Sequence, residues 1–146
     1  MPAAFLRFVH VLVLFLLPLC VGAVWSVAAQ LSGLDLSALA LVVAAVTLFL
    51  RGQLAFLGRA SRILLHVLAC AAGILYAQVL IVSIAVAGPF GYGLFETLQR
   101  MGGAMALSLV AVRSDAGDRM AYLVALTLAG LIGSLRPRLL RPRSVP

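Results

Sequence analysis

Glu96 and Arg100 stand four residues apart, acid first, at the edge of an apolar stretch. On a helix that spacing puts both on one face, in the favourable order for an ion pair. An ionisable group at membrane depth costs about 2.5–3.5 kcal/mol on the insertion scale, so its presence there is a functional expectation. Two readings follow. In one, Glu96 and Arg100 line a proton or ion path, or hold an anionic substrate, with Gln78 and Thr47 as further polar steps. In the other, the pair is exposed and anchors an interfacial helix. The second is the simpler expectation.

His10 follows Arg7 by three residues and His66 follows Arg62 by four. If both arginines mark one interface, both imidazoles lie about one helical turn inside it. Two imidazoles at matching depth could ligate a b-type haem, or one could hold a chlorin. Ala69 and Gly73 would leave room beside His66. Against this stands the ordinary role of interfacial histidines, bonding headgroups or carbonyls.

The remaining chemistry is sparse. Cys20 and Cys70 each sit inside an apolar run, where a buried thiol behaves as a small hydrophobe. Neither a disulfide framework nor a zinc site has enough ligands. No serine has a base nearby in sequence, and HExxH, Walker and CxxC patterns are missing from the sequence. The expectation is a protein that is not an enzyme and has no metal site.

These residues need elements to hold them, and composition says which. The chain has 146 residues, of which 64% are hydrophobic and 10% charged. Soluble domains are roughly 45–50% apolar. The mean hydropathy is +1.19. A single soluble domain could not cover that much apolar surface, whereas a bilayer need not cover it at all. The net charge is +7, and every basic residue is arginine. Because the arginines flank apolar runs, they read as orientation signals rather than a nucleic-acid face.

A crossing helix needs about 20 apolar residues. Phe8–Ala29 supplies 22, with Pro18 as a possible kink. It has the flanks of a signal peptide, but it is long for one and reads as a retained span. Asp35 or Ser37 is placed to cap the next helix. That run, Leu36–Leu50, has 15 residues before Arg51 and crosses if Arg51 snorkels. Ile63–Ala87 has 25 residues and ends at Gly88-Pro89. Gly91–Val112 is ambiguous: its purely apolar part, Met101–Val112, has only 12 residues, which fits a re-entrant or interfacial segment. Met120–Leu135 is the final run, with 16.

The expected fold is therefore all-α: an integral membrane helical bundle of four transmembrane helices plus a re-entrant or interfacial helix, with five spans as the alternative. Residues 1–135 form one transmembrane domain, and 136–146 an Arg/Pro-rich cytoplasmic tail. Four spans put Arg7, Arg51, Arg59, Arg62 and the tail on one side, as the positive-inside rule prefers. Both termini are then cytoplasmic, at a bacterial inner membrane. The tail residues Arg136, Arg138, Arg141 and Arg143 are expected on anionic lipid.

Small residues recur every four positions at Ala121, Ala125, Ala129 and Gly133, and again at Ala69, Gly73 and Ala77. That spacing lets helix backbones approach closely, within the bundle or against another chain. The leading functional expectation is a non-catalytic accessory or scaffold subunit of a larger membrane complex. Its partners are other membrane chains or further copies of itself, not nucleic acid. The alternatives are a small oligomeric transporter or channel using Glu96 and Arg100, and a haem- or chlorin-binding subunit using His10 and His66.

Overall fold

A computed structural model describes residues 3–33, 37–50, 54 and 56–135. Asp35, Arg51 and the tail arginines Arg136, Arg138, Arg141 and Arg143 lie outside the described residues. Those described form five α-helices: α1 (Ala3–Ser32), α2 (Leu39–Leu50), α3 (Arg59–Phe90), α4 (Leu94–Arg113) and α5 (Ala116–Ser134). Three of them, α1, α3 and α5, are long and apolar enough to cross a membrane. The helix α2 has 12 residues, about 18 Å at 1.5 Å per residue.

The long central helix α3 organises the bundle. It packs against α1, α5 and α4, while α2 fills the angle between α1, α3 and α5. Its neighbours are set in register by small residues. Pro18 of α1 and Val43 of α2 both press on Gly73, and Gly22 of α1 lies over the Gly73 carbonyl and Ala77. Thus α1 runs parallel to α3. Gly133 lies over Ile63, Gly130 meets Val67, and the Cys70 thiol points at the Ala125 carbonyl at 3.9 Å. Thus α5 runs antiparallel to α3. Both small-residue stripes are consumed inside the bundle. The α3 stripe faces α1 and α2, and the α5 stripe packs on another side of α3 and on α2.

Proline does not interrupt α1, which continues through a fully buried Pro18. Nor does Gly88-Pro89 end α3, as the sequence pattern implied. The helix runs to Phe90 and stops at Gly91, whose φ of 67° admits the left-handed cap that satisfies the last carbonyls. This outer end of α3 reaches past the start of α5, and α4 folds back along it. Val82 of α3 packs there with Met101 and Ala106 of α4.

Within α4, Gly102 has φ 67° and ψ 164°, a conformation essentially restricted to glycine, so the helix breaks there. Open space surrounds the position, so the cost of a side chain would be conformational. Gly102→Val is expected to destabilise by about 1–3 kcal/mol or to straighten α4. Spin labels at the exposed positions Phe95 and Leu31 would report the second outcome as a changed distance.

The start of α5 is fixed by a reciprocal capping box. Asp118 N–H donates to Asp115 Oδ1 at 2.7 Å, and Asp115 N–H donates to Asp118 Oδ2 at 3.3 Å. Asp115→Ala is expected to cost about 1 kcal/mol. Faster hydrogen exchange confined to residues 116–119 would show it.

Candidate functional site at the head of α5

The ion pair is where helical spacing puts it. Arg100 Nη2 lies 2.8 Å from Glu96 Oε1, on the exposed face of α4. The Arg100 guanidinium also sits 4.6 Å from the centre of the Tyr92 ring. Exposed pairs of this kind contribute at most about 1 kcal/mol. Glu96→Gln should accordingly shift the thermal midpoint of the detergent-solubilised protein by a degree or two at most, about 0.3–0.5 kcal/mol. A large drop would mean that the pair is held in a protein-lined setting.

The two histidines diverge. His66 is fully buried, and its Nδ1 pairs with the Arg62 carbonyl at 2.8 Å. Its Nε2 makes no hydrogen bond to a described residue, and the Thr47 carbonyl faces the same ring. His10 is half-buried on α1. Neither histidine lines any of the cavities described below.

The buried hydroxyls close locally, whereas the buried Arg62 Nε meets no acceptor among the described residues. Ser26, Thr47, Ser83, Thr97 and Ser114 each donate to a carbonyl three or four residues back on the same chain segment. Such bonds satisfy a hydroxyl without linking helices. Gln30 is different: its Nε2 donates across to the Ile81 carbonyl at 3.1 Å, tying the end of α1 to α3.

Gln78 is the sequence candidate that tertiary structure gives company. It lies on α3 at 6% exposure and makes no side-chain hydrogen bond to a described residue. With Trp25 of α1 and Tyr122 of α5 it borders a cavity of about 10 Å³, at whose rim lie Ser37, Arg113 and Asp118. That is room for about one water. The Trp25 indole N–H is buried without a partner among the described residues, and its ring lies 6.5 Å from that of Tyr122, tilted by 59°. Water is the obvious bridge between such groups.

Gln78 and Tyr122 also border a second, larger space. An open groove of about 360 Å³ runs between α3, α4 and α5. Ile74, Leu75, Val110 and Leu126 line its apolar length, and Ser114 and Arg119 join Gln78 and Tyr122 at the polar end. The Arg119 Nη2 donates to the Ala111 carbonyl at 3.3 Å. Nothing in the spacing of Trp25, Gln78 and Tyr122 signals their convergence, because three helices contribute and each position looks ordinary on its own. Their shared level along the bundle follows only from the helix registers.

Comparison with known proteins returns nothing that assigns a role: no family model, no curated protein and no solved structure matches this chain.

Proposed function

We propose that this protein is a small integral membrane protein acting as a non-catalytic accessory subunit of a larger membrane assembly. The carrying observation is that its buried hydroxyls bond back to their own backbones, so they line neither a reactive constellation nor a polar route through the bundle. The position of Glu96 and Arg100 on the outer face of α4 agrees with this. Apolar side chains on the outer faces, among them Val24, Leu31, Phe95 and Val112, supply surface for lipid and for partner helices.

In this reading α1, α2, α3 and α5 make four crossings, and α4 lies at the interface. Support comes from length and charge. The 19 residues of α5 measure about 28 Å, close to the roughly 30 Å hydrocarbon core. Arg7 packs 5.3 Å from the centre of the Phe56 ring, so one end of the bundle gathers Arg7, Arg59 and Arg62 beside the end of α5. The opposite end carries Arg113 and Arg119 together with Asp115 and Asp118. The arginine-rich end is then cytoplasmic, with both termini there, at a bacterial inner membrane.

The test is purification of the tagged protein in mild detergent, followed by native mass analysis. Larger membrane chains retained in fixed ratio are expected. A colourless, stable monomer that retains no other chain would sink the proposal. A co-purifying chromophore with a Soret band would favour the histidine reading instead.

A further inference from the structure

We propose that the start of α3 binds a phosphate group, held by the backbone N–H groups of Arg59, Ala60 and Ser61 and by the Arg62 side chain. Gly58 precedes the helix in extended conformation, and no side chain caps it. The Gly58 carbonyl accepts the Arg62 N–H at 3.1 Å, the first bond of the helix. The N–H groups of Arg59, Ala60 and Ser61 come before that bond, so the helix offers them no acceptor. They stand at the end of a helix of 32 residues, where the dipole places partial positive charge. Such an end is suited to an anion.

Water alone would satisfy an ordinary helix end. Arg62 sets this one apart. It is the fourth residue of α3, and helical side chains lean toward the N-terminus, which carries its guanidinium toward the free amides. It is more than nine-tenths buried, yet its Nε meets no acceptor among the described residues. Buried charges are ordinarily paired. The carboxylates among the described residues, Glu96, Asp115 and Asp118, all stand at the opposite end of the bundle. This end instead adds positive charge: Arg59 is exposed in the same first turn, and Arg7 lies over Phe56, two residues before Gly58. A buried, unpaired guanidinium beside an uncapped helix start therefore calls for an anion from outside. A guanidinium and three amides match the several oxygens of a phosphate better than the two of a carboxylate. The phosphate arrives either on a lipid headgroup, at the membrane boundary of the topology proposed above, or free in solution.

The full chain, labelled with nitrogen-15 in dodecyl maltoside, is titrated with inorganic phosphate and, separately, with oleoyl lysophosphatidic acid, and the amide signals of residues 59–62 are followed by NMR. Saturable shifts are expected with at least one probe. Shifts with both mean that the site takes the free anion, and shifts with the lipid alone mean that it takes the headgroup. Mono-oleoyl glycerol has the same tail and no phosphate, and should leave these signals in place. Arg62→Gln should weaken binding about tenfold, the loss of one charge-assisted bond. It should also melt no lower than the parent without phosphate, because it removes an unpaired charge. Arg59→Pro keeps the helix start, where proline is tolerated, but removes one amide, so it should bind more weakly than Arg59→Gln, which loses only the charge. Arg100→Gln, on the outer face of α4, should change nothing. Silence toward both phosphate probes overturns the site, as do equal shifts with mono-oleoyl glycerol or unchanged affinity in Arg62→Gln. Collapse of Arg62→Gln without phosphate overturns it too, since Arg62 would then be paired within the fold. Equal affinity of Arg59→Pro and Arg59→Gln overturns the role of the amides.

Discussion

Gly73→Leu is expected to break the bundle where three helices meet. A Cβ at Gly73 would lie 2.9 Å from the Pro18 Cβ, from the Pro18 carbonyl oxygen and from the Val43 Cγ1. Two of those atoms belong to a proline ring and a helix backbone, which cannot turn aside as a flexible side chain would. The approach is reciprocal, because a Cβ on Gly22 would meet the Gly73 carbonyl oxygen at 2.6 Å. Even alanine at position 73 must push α1 and α2 away, and overpacking of this kind typically costs about 1–3 kcal/mol. Leucine adds three further carbons to a space that has none, so loss of the folded state in mild detergent is expected. Gly88→Ala is the control, since open space surrounds Gly88. Both can be followed by thermal unfolding, using Trp25 fluorescence, because that indole is 2% exposed in the folded bundle. If Gly73→Leu melts with the wild type, the α1–α3 register described above is wrong.

The second large effect is expected at the opposite end of the small-residue pattern. A Cβ on Gly133 would sit 2.7 Å from the Ile63 Cα and 3.1 Å from the Arg62 carbonyl oxygen and the Ile63 nitrogen. All three are backbone atoms, so Gly133→Leu must lift the end of α5 off the start of α3. The loss should again be at least about 1–3 kcal/mol. It should also expose Cys70, which is fully buried between these two helices. In a Cys20→Ser background, which removes the exposed thiol, maleimide labelling of Cys70 should accelerate strongly in Gly133→Leu. Gly130→Ala should label slowly, like the parent, because its Cβ would meet only the Val67 Cγ2 at an ordinary 3.5 Å. Equal labelling rates in the two variants would show that α5 does not close on α3 through Gly133.

Both predictions turn on contacts that the small-residue spacing announced without assigning. Ala69, Gly73 and Ala77, like Ala125, Ala129 and Gly133, carry the four-residue repeat of close-packed helices, and all are buried or nearly so. Two such stripes invite the inference that they face one another. They do not. The α3 stripe receives Pro18, Gly22 and Val43, whereas the α5 stripe meets α3 around Ile63 and Cys70. A helix surrounded by neighbours has several faces, and the periodicity of one face does not name its partner.

What the sequence determined by itself is the all-helical, apolar character of the chain, because that is a sum over local composition. Uninterrupted apolar runs give α1, α3 and α5 their length whatever packs beside them. The Glu96–Arg100 pair was equally legible, since its partners lie one turn apart on a single helix. Tertiary structure decided the rest. The break at Gly102 depends on a backbone conformation that glycine permits but does not demand, so α4 could not be divided in advance. The end of α3 at Gly91 rather than Gly88 was hidden for the same reason. The meeting of Trp25, Gln78 and Tyr122 was least visible of all. It requires residues from three helices to reach one level, and that level is set by how closely Gly22, Gly73 and Gly133 let those helices approach.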